Sequence, residues 1–187
     1  AFLARVRRES PETKVLVDEA YHEYVDEPSY ATMIPETREQ NVVVARTFSK
    51  VFGMAGLRVG YAITTPENAA TLEAWMLNAG VNRLAAASAM ASIADEAAIR
   101  AEQKRNRDVR AGVIRWFTSR GFAPAKSDSN FVFVDIRRDV RPVISACYDK
   151  GVAVGRPFPP LDTHLRVSMG LQAEMDKALA VLGEVLG

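Results

Sequence analysis

Three short motifs place carboxylate, phenol, amine and guanidinium groups beside apolar runs that are typical of β-strands. Asp18-Glu-Ala-Tyr21 ends one such run, Thr47-Phe-Ser-Lys50 follows the next, and Gly56-Leu-Arg58-Val-Gly60-Tyr opens a third. In a parallel sheet the carboxyl ends of the strands meet at one edge, and ligands bind at that edge. The motifs therefore predict a ligand-binding crevice that contains Asp18, Tyr21, Ser49, Lys50 and Arg58.

The apolar runs that carry these motifs predict the strands of one sheet. Residues 14–18 and 41–46 are short and apolar, as expected of parallel strands that are buried on both faces. Residues 57–63 predict a third strand. Thr65-Pro66-Glu67 combines a capping hydroxyl, a proline suited to the first helical position and an acidic first turn, which predicts the start of a helix. The crevice is therefore expected at the edge of a sheet that is flanked by helices.

The pattern changes near residue 100, where alternating helices and strands replace the motif-bearing loops. Residues 83–119 contain few helix breakers and predict one or two long helices. The elements predicted after them are a strand over 130–136, a helix over 139–150, a short strand over 152–154, a strand over 164–169 and a helix over 172–186. This order is typical of a small α+β unit, so we place the domain boundary after residue 100.

The composition restricts the class of protein and the kinds of partner. The 187 residues include 24 Lys and Arg against 23 Asp and Glu, and the resulting charge of +1 argues against nucleic acid or an anionic membrane as the main partner. The longest apolar runs fall far short of the roughly 20 residues of a membrane-spanning helix. Cys147 is the only cysteine and allows neither an internal disulfide nor a cysteine zinc site. Since His22 and His164 are the only histidines, we expect no metal site.

In this order and at about this separation, the three motifs resemble those of the fold-type I pyridoxal-phosphate enzymes, in particular the histidinol-phosphate aminotransferase-like branch of the class I/II aminotransferases. The resemblance covers essentially the whole chain. It implies an α/β, pyridoxal-phosphate-transferase-like fold. Residues 1–100 would form the C-terminal part of the cofactor-binding large domain, with part of a mostly parallel sheet. Residues 101–187 would form a small C-terminal α+β domain.

The resemblance implies roles for three catalytic side chains. Lys50 would form a Schiff base with the aldehyde of pyridoxal 5′-phosphate and, once substrate displaces it, would be the base that moves a proton. Asp18 would be a buried carboxylate that keeps the ring nitrogen of the cofactor protonated, so that the ring can accept electrons. Tyr21 would donate a hydrogen bond to the phenolic oxygen of the ring.

The other site residues implied by the resemblance bind anionic groups. Arg58 would bind the cofactor phosphate through its planar guanidinium, with the hydroxyls of Thr47 and Ser49 as further donors. Arg166, in His-Leu-Arg-Val-Ser-Met-Gly, resembles the small-domain arginine that binds the substrate α-carboxylate. Arg156 stands near the arginine that meets the substrate phosphate in the histidinol-phosphate enzymes. Its sequence context, Gly-Arg-Pro-Phe-Pro-Pro, departs from their usual pattern, so the amino donor stays open.

The implied function is the transfer of an amino group between an amino acid, or an amino-alcohol phosphate, and a 2-oxo acid. A pyridoxal-phosphate-dependent decarboxylase of an amino-acid phosphate shares these motifs, and a non-catalytic member of the family is a third alternative. An ATPase would explain Val15-Leu-Val-Asp-Glu19, but the sequence contains no Gly-x-x-x-x-Gly-Lys-Ser/Thr phosphate loop. The resemblance also implies a cytoplasmic homodimer that takes part in amino-acid biosynthesis.

Chains of this family are longer than the present sequence. In them, the segment before the Asp-Glu-Ala-Tyr motif supplies a glycine-containing phosphate loop, an aromatic residue that stacks on the cofactor ring, and an Asn-Pro-x-x-Pro-Thr-Gly stretch. None of these occurs before Asp18 here. We therefore expect this chain to lack the N-terminal part and to be a poor or inactive aminotransferase on its own.

Overall fold

Three strands form the sheet that carries the predicted crevice in a computed structural model, which describes residues 2–39, 41–76 and 80–187. They are β1 (Val15–Asp18), β2 (Val42–Thr47) and β3 (Gly60–Ile63), in the order β1-β2-β3. β1 runs parallel to β2, whereas β3 runs antiparallel to it. The start of β3 therefore lies at the same edge of the sheet as the carboxyl ends of β1 and β2.

Over the described part of the same half of the chain there are three α-helices and three short 3-10 helices. The α-helices are α1 (Phe2–Glu9), α2 (Pro66–Glu73) and α3 (Arg83–Ala94), and the 3-10 helices span His22–Tyr24, Ile34–Arg38 and Ala55–Leu57. α2 begins directly after Thr65, whose side chain accepts a hydrogen bond from the Asn68 amide at 3.4 Å. The helix start predicted from Thr-Pro-Glu is thus confirmed, because the capping hydroxyl partners one of the amides left open at a helix start.

β1 is not the buried strand that the sequence predicts. Its side chains alternate between partly buried and exposed, and Leu16 is 67% exposed. Within the described residues β1 has a hydrogen-bonded neighbour on one side only, so it is an edge strand there. β2 lies between two strands, and Val42 and Val44 are fully buried. The prediction of a buried strand is therefore confirmed for β2 and wrong for β1.

The second half of the chain combines a two-stranded sheet with three helices. Its elements are α4 (Glu96–Thr118), β4 (Phe131–Asp135), α5 (Val140–Asp149), β5 (His164–Ser168) and α6 (Gln172–Leu186). β4 and β5 are antiparallel. The predicted strand over 152–154 is absent, because the Val152 amide instead closes the end of α5 by donating to the Cys147 carbonyl at 2.9 Å.

The chain divides into two compact units, Ala1–Arg100 and Ala101–Gly187. The second unit contains the larger apolar core, and its fully buried side chains include Phe117, Ile136, Leu165 and Leu182. The first unit has a smaller apolar cluster that includes Phe48, Met54, Val59 and Ala85. The assignment of these units to a cofactor-binding domain and a small domain stays a prediction.

The lone cysteine and the metal-ligand side chains have simple environments. Cys147 is a free, buried thiol, and burial raises its pKa. Over residues 2–39, 41–76 and 80–187, the structure contains no group of three or more His, Cys, Asp and Glu side chains that could bind a metal ion. In the same ranges, every helix is too short or too polar to cross a membrane.

Candidate active site

Six of the predicted site residues line one pocket in the first unit. The pocket has a volume of about 450 Å³ and opens at the carboxyl ends of β1 and β2. The predicted residues in its lining are Asp18, Tyr21, Thr47, Ser49, Lys50 and Arg58, and the others are Ala20, Ala45, Arg46 and Ala55. The structure thus brings a carboxylate, a phenol, two hydroxyls, an amine and two guanidinium groups to one place.

Backbone pairing explains why residues from three separate motifs meet at this pocket. Asp18 pairs with Ala45 in the parallel ladder of β1 and β2. In the antiparallel ladder of β2 and β3, Thr47 pairs with Gly60, two residues after Arg58. Arg58 therefore reaches the carboxyl end of β2 because β3 is antiparallel. A parallel β3 would have placed Arg58 at the opposite edge of the sheet.

Asp18 is exposed, which differs from the buried carboxylate that we predicted. Its Oδ1 accepts a hydrogen bond from the Ala20 amide at 3.0 Å, just after β1 ends. Side chains alternate between the two faces of a strand, so Asp18 continues the exposed face that also carries Leu16. The prediction of burial is wrong for the described residues because they leave this face of β1 uncovered.

Lys50 lies in a tight turn that begins at the end of β2. The Ser49 amide donates to the Thr47 hydroxyl at 3.1 Å, and the Gly53 amide donates to the Lys50 carbonyl at 2.9 Å. Gly53 has a φ of 68°, a left-handed conformation that glycine adopts without steric cost. The Lys50 Nζ atom lies 5.0 Å from the centroid of the Tyr21 ring. This cation–π contact connects the two predicted catalytic loops.

A small apolar cluster anchors the same turn. Phe48 is buried, and the centroid of its ring lies 4.8 Å from that of Phe52 and 5.7 Å from that of Tyr61. Thr47 and Ser49, on either side of Phe48, are only partly buried and line the pocket. Burial of one aromatic side chain therefore holds the two flanking hydroxyls at the pocket wall.

Arg58 is held in a left-handed backbone conformation, with φ 54° and ψ 52°. Such a conformation costs a non-glycine residue on the order of 1–3 kcal/mol and is found mainly at functional sites. The Arg58 Nη1 atom donates to the Ala55 carbonyl at 2.7 Å, and the exposed guanidinium keeps further donors for an anion. A Cβ atom on Gly60 would lie 2.7 Å from the Arg46 carbonyl oxygen, so glycine is required where β3 approaches β2.

A buried ion pair beside the pocket was not predicted from the sequence. The Arg46 Nη2 atom lies 2.8 Å from the Glu19 Oε2 atom, and the Thr32 hydroxyl and the Met33 amide also donate to this carboxylate. Burial by itself raises the pKa of Glu19, but hydrogen bonds from Met33, Arg46 and Thr32 outweigh it and hold the pKa below its usual value. The sequence did contain an indication of this pair, because Glu19 and Arg46 each stand at the end of an apolar run. A charge that is buried at such a position requires a partner of opposite charge.

Arg156 and Arg166 flank one aromatic ring in the second unit. The Arg166 Cζ atom lies 4.1 Å from the centroid of the Phe131 ring and 5.8 Å from that of Phe158. The Arg156 Cζ atom lies 4.3 Å from the same Phe158 centroid. The Arg166 Nε atom is buried and has no hydrogen-bond partner among the described residues. The two predicted substrate-binding arginines are thus grouped, with an unused donor on one of them.

Sequence comparison relates the chain to one enzyme family. The family model for aminotransferase class I and II matches residues 3–182. The histidinol-phosphate aminotransferase of Moorella thermoacetica is 37% identical over 180 residues, which cover 94% of this chain and 46% of that protein. Histidinol-phosphate aminotransferase 2 of Methylococcus capsulatus is 40% identical over 174 residues, which cover 91% of this chain and 47% of that protein.

Structural comparison gives the same relation. The crystal structure of histidinol-phosphate aminotransferase from Sinorhizobium meliloti in complex with pyridoxal-5′-phosphate matches with a TM-score of 0.89 and 31% identity. The match covers 99% of this chain and 52% of that chain. The predicted α/β fold is therefore confirmed. The chain spans about half the length of the curated relatives it matches.

Proposed function

Because this chain belongs to the class I and II aminotransferase family, we propose that its pocket binds pyridoxal 5′-phosphate. We further propose that the protein transfers an amino group from an amino acid or an amino-alcohol phosphate to a 2-oxo acid. The observation that carries the proposal is the grouping of Asp18, Lys50 and Arg58 around one pocket. A phosphorylated pyridine aldehyde requires a carboxylate, an amine and a cation as partners, so this donor set fits it.

Lys50 is the residue proposed to hold the cofactor aldehyde and to move the proton. Its side chain is partly buried against the Tyr21 ring, within the pocket. When bound, the cofactor supplies an electron sink for negative charge at the substrate Cα atom. The free amine of Lys50 would take the proton from that carbon as a general base.

The remaining pocket residues would bind different groups of the cofactor. Asp18 would accept a hydrogen bond from the protonated ring nitrogen and keep it charged, and Tyr21 would donate to the phenolic oxygen. Arg58 would bind the phosphate, with Thr47 and Ser49 as neutral donors. The left-handed backbone of Arg58 supports this role, because strain of this kind is tolerated where function requires it.

The two arginines of the second unit support an anionic substrate. Arg166 would bind the carboxylate of the amino acid or of the 2-oxo acid, since a guanidinium presents two parallel donors to a carboxylate. Arg156 would bind the phosphate of an amino-alcohol phosphate. The relatives at 37% and 40% identity, both named histidinol-phosphate aminotransferases, support this class of amino donor.

The proposal includes a homodimer and a cytoplasmic location. On α3 the side chains of Leu84, Met90 and Ile93 are exposed, and exposed apolar patches of this kind are typical of interfaces between subunits. The single cysteine, Cys147, gives no indication of an oxidising compartment.

Chemical trapping tests the central assignment. The chain is incubated with pyridoxal 5′-phosphate, reduced with borohydride and digested for peptide mapping. We expect the pyridoxyl group on the peptide that contains Lys50 and its loss in Lys50→Ala. Lys150→Ala is the matched control, because Lys150 lies in the second unit and pairs with Glu184 at 2.7 Å. A tag on Lys14 or Lys150 in the unaltered chain would contradict the assignment.

A product assay distinguishes amino transfer from decarboxylation. With 2-oxoglutarate as acceptor, a transferase produces glutamate in proportion to the amino donor consumed. Release of carbon dioxide from an amino-acid phosphate, without formation of glutamate, would identify the decarboxylase alternative instead.

A further inference from the structure

A buried ion pair joins the two loops that carry the candidate catalytic residues. The side chain of Glu19 is 4% exposed and that of Arg46 is 13% exposed. Glu19 directly follows Asp18, and Arg46 directly precedes the Thr47–Lys50 motif. The pair therefore connects the loop after β1 with the end of β2, and Arg46 itself lines the pocket.

The hydrogen bonds around this pair are numerous and converge on one carboxylate. Glu19 Oε2 accepts from Arg46 Nε at 3.0 Å and from Arg46 Nη2 at 2.8 Å, while Oε1 accepts from the Met33 amide at 2.6 Å. The Thr32 hydroxyl donates to the same carboxylate and also accepts from Arg46 Nη2 at 3.0 Å. Burial alone lowers the pKa of Arg46, but its hydrogen bonds to Glu19 and Tyr61 raise it overall. Both partners are therefore charged at neutral pH.

Stability alone does not explain why two charges are buried at this point. Replacing a buried ion pair by apolar side chains is often neutral or stabilising, so such pairs are better understood as devices that fix a geometry. The geometry fixed here is the spacing between two loops. Tyr21 lies two residues after Glu19, Lys50 lies four residues after Arg46, and the Lys50 Nζ atom sits 5.0 Å from the centroid of the Tyr21 ring.

We infer that Glu19 is a positioning residue which, through Arg46, sets the distance between the Asp18–Tyr21 loop and Lys50. The catalytic meaning of this distance rests on the proposed function, because only then are Tyr21 and Lys50 partners of one cofactor. Thr32 bridges the two charges and is the secondary part of the same device.

The first unit provides a matched control. Arg7 and Glu36 form an ion pair at 2.7 Å between α1 and the 3-10 helix over Ile34–Arg38, with side chains 31% and 40% exposed. Neither residue lines the pocket that contains Lys50. Glu36→Gln therefore removes one ion pair from the same unit without touching the connection between the two loops.

The position of Lys50 relative to the Tyr21 ring can be tested without the cofactor. The six lysines of the chain are reductively methylated with ¹³C-formaldehyde, and the Lys50 resonance is identified by its loss in Lys50→Arg. Because the Lys50 Nζ atom lies 5.0 Å from the Tyr21 centroid, we expect the ring to displace this resonance and Tyr21→Leu to abolish the displacement. We expect Glu19→Gln to move the resonance most of the way to the position of an unstructured lysine and Glu36→Gln to leave it in place. An unmoved resonance in folded Glu19→Gln, or equal shifts in both variants, would overturn the inference.

A second variant keeps the inference testable if Glu19→Gln does not fold. Thr32→Val removes the bridging hydroxyl but retains both charges, and we expect it to shift the Lys50 resonance in the same direction by a smaller amount. If Thr32→Val leaves the resonance unmoved when Glu19→Gln cannot be measured, the positioning role is overturned.

Measurements with the cofactor then distinguish a failure of this inference from a failure of the proposed function. We expect Glu19→Gln to weaken the association of pyridoxal 5′-phosphate roughly tenfold, because Lys50 is no longer held beside Tyr21, and Glu36→Gln to leave it unchanged. If the unaltered chain shows no borohydride-trapped pyridoxyl group on Lys50, the proposed function fails, whereas the resonance shifts still decide the positioning of Lys50. Equal cofactor association in Glu19→Gln and Glu36→Gln would count against Glu19.

Discussion

The two compact units of this chain bury their apolar side chains to different degrees. In the second unit, residues from α4, α5, α6, β4 and β5 enclose a continuous core in which Phe117 and Leu182 are fully buried. In the first unit, full burial is found on β2 and at Ala85, while large apolar side chains such as Leu16, Trp75 and Leu84 are exposed. The unit that contains the candidate catalytic pocket is therefore the one with the smaller core.

This difference indicates how the candidate site is held together. The pocket of the first unit depends on directed contacts, namely the strand register, the turn after β2, and the Glu19–Arg46 ion pair. The arginines of the second unit lie on aromatic rings beside a large core. Directed polar contacts position reactive groups with less apolar burial, and regions with few buried apolar contacts open locally at lower free energy. Polar substitutions should therefore disturb the geometry of the pocket most. Substitutions that create cavities should lower the stability of the second unit most.

Truncating a core side chain should have the largest effect of the changes considered. Phe117→Ala removes a fully buried ring that makes edge contacts with Trp116 and Phe122. We expect it to reduce the free energy of unfolding by about 3–5 kcal/mol, through lost transfer energy and a residual cavity. Leu84→Ala, at a side chain that is 77% exposed in the first unit, should change it by less than about 0.5 kcal/mol. Denaturant unfolding measures both, and equal effects would remove the contrast between the units.

Removing the candidate substrate arginine should have the next largest effect. Under the proposed function, Arg166→Ala eliminates a charge-assisted pair with a substrate carboxylate, which should cost about 1.5–3 kcal/mol, measured as a higher KM for the amino donor. Because Arg166 does not line the pocket that contains Lys50, the absorbance spectrum of the bound cofactor should stay unchanged. An unchanged KM would indicate that Arg166 is only a residue of the β5 surface.

Replacing the carboxylate of the pocket should affect turnover rather than cofactor binding. In Asp18→Asn the amide cannot hold the ring nitrogen protonated, so the cofactor loses its capacity to accept electrons. We expect the chain to retain the cofactor and to lose at least tenfold in kcat, about 1.4 kcal/mol. A smaller loss in kcat would show that the exposed carboxylate of Asp18 does not keep the ring nitrogen of the cofactor protonated.

Acidification should affect the first unit through Glu19. The pKa of this carboxyl lies below its ordinary value of 4.5 in the folded chain, so its ionised form stabilises the fold at every pH above that value. This contribution is lost as the pH falls through the lowered pKa. We expect amide hydrogen exchange at Met33 to accelerate relative to its intrinsic rate below about pH 4.5, and this acceleration to be absent in Glu19→Gln.

Asp135 and Asp139 provide the comparison from the second unit. Their pKa values are also lowered, chiefly by backbone hydrogen bonds from Arg137 and Arg141. Asp139 is exposed and Asp135 is only partly buried, so solvent screens the interactions of both carboxyl groups. Exchange in the core of the second unit should therefore change less over the same pH range. If acidification accelerated amide exchange more in the core of the second unit than at Met33, polar contacts would not be what distinguishes the first unit.

The sequence by itself determined the chemical types of the site residues and the local structure around them. Thr65-Pro66-Glu67 specified the start of α2, because capping and the fixed φ of proline act within one turn. The apolar run over 41–46 specified a strand, and β2 is one. The three motifs supplied six residues that line one pocket. The helix start and the residue types of the motifs depend only on neighbours that are close in the chain.

The tertiary structure decided what depends on residues distant in the chain. The direction of β3, which brings Arg58 to the pocket, and the pairing of Glu19 with Arg46 are set by contacts between separate segments. Asp18 is exposed because of how little of the described chain packs on its face of β1. The same apolar run could equally belong to a strand whose faces are covered, so the run alone does not predict burial. Strand direction and burial are properties of the neighbours that a segment meets, and the pattern of one segment does not contain them.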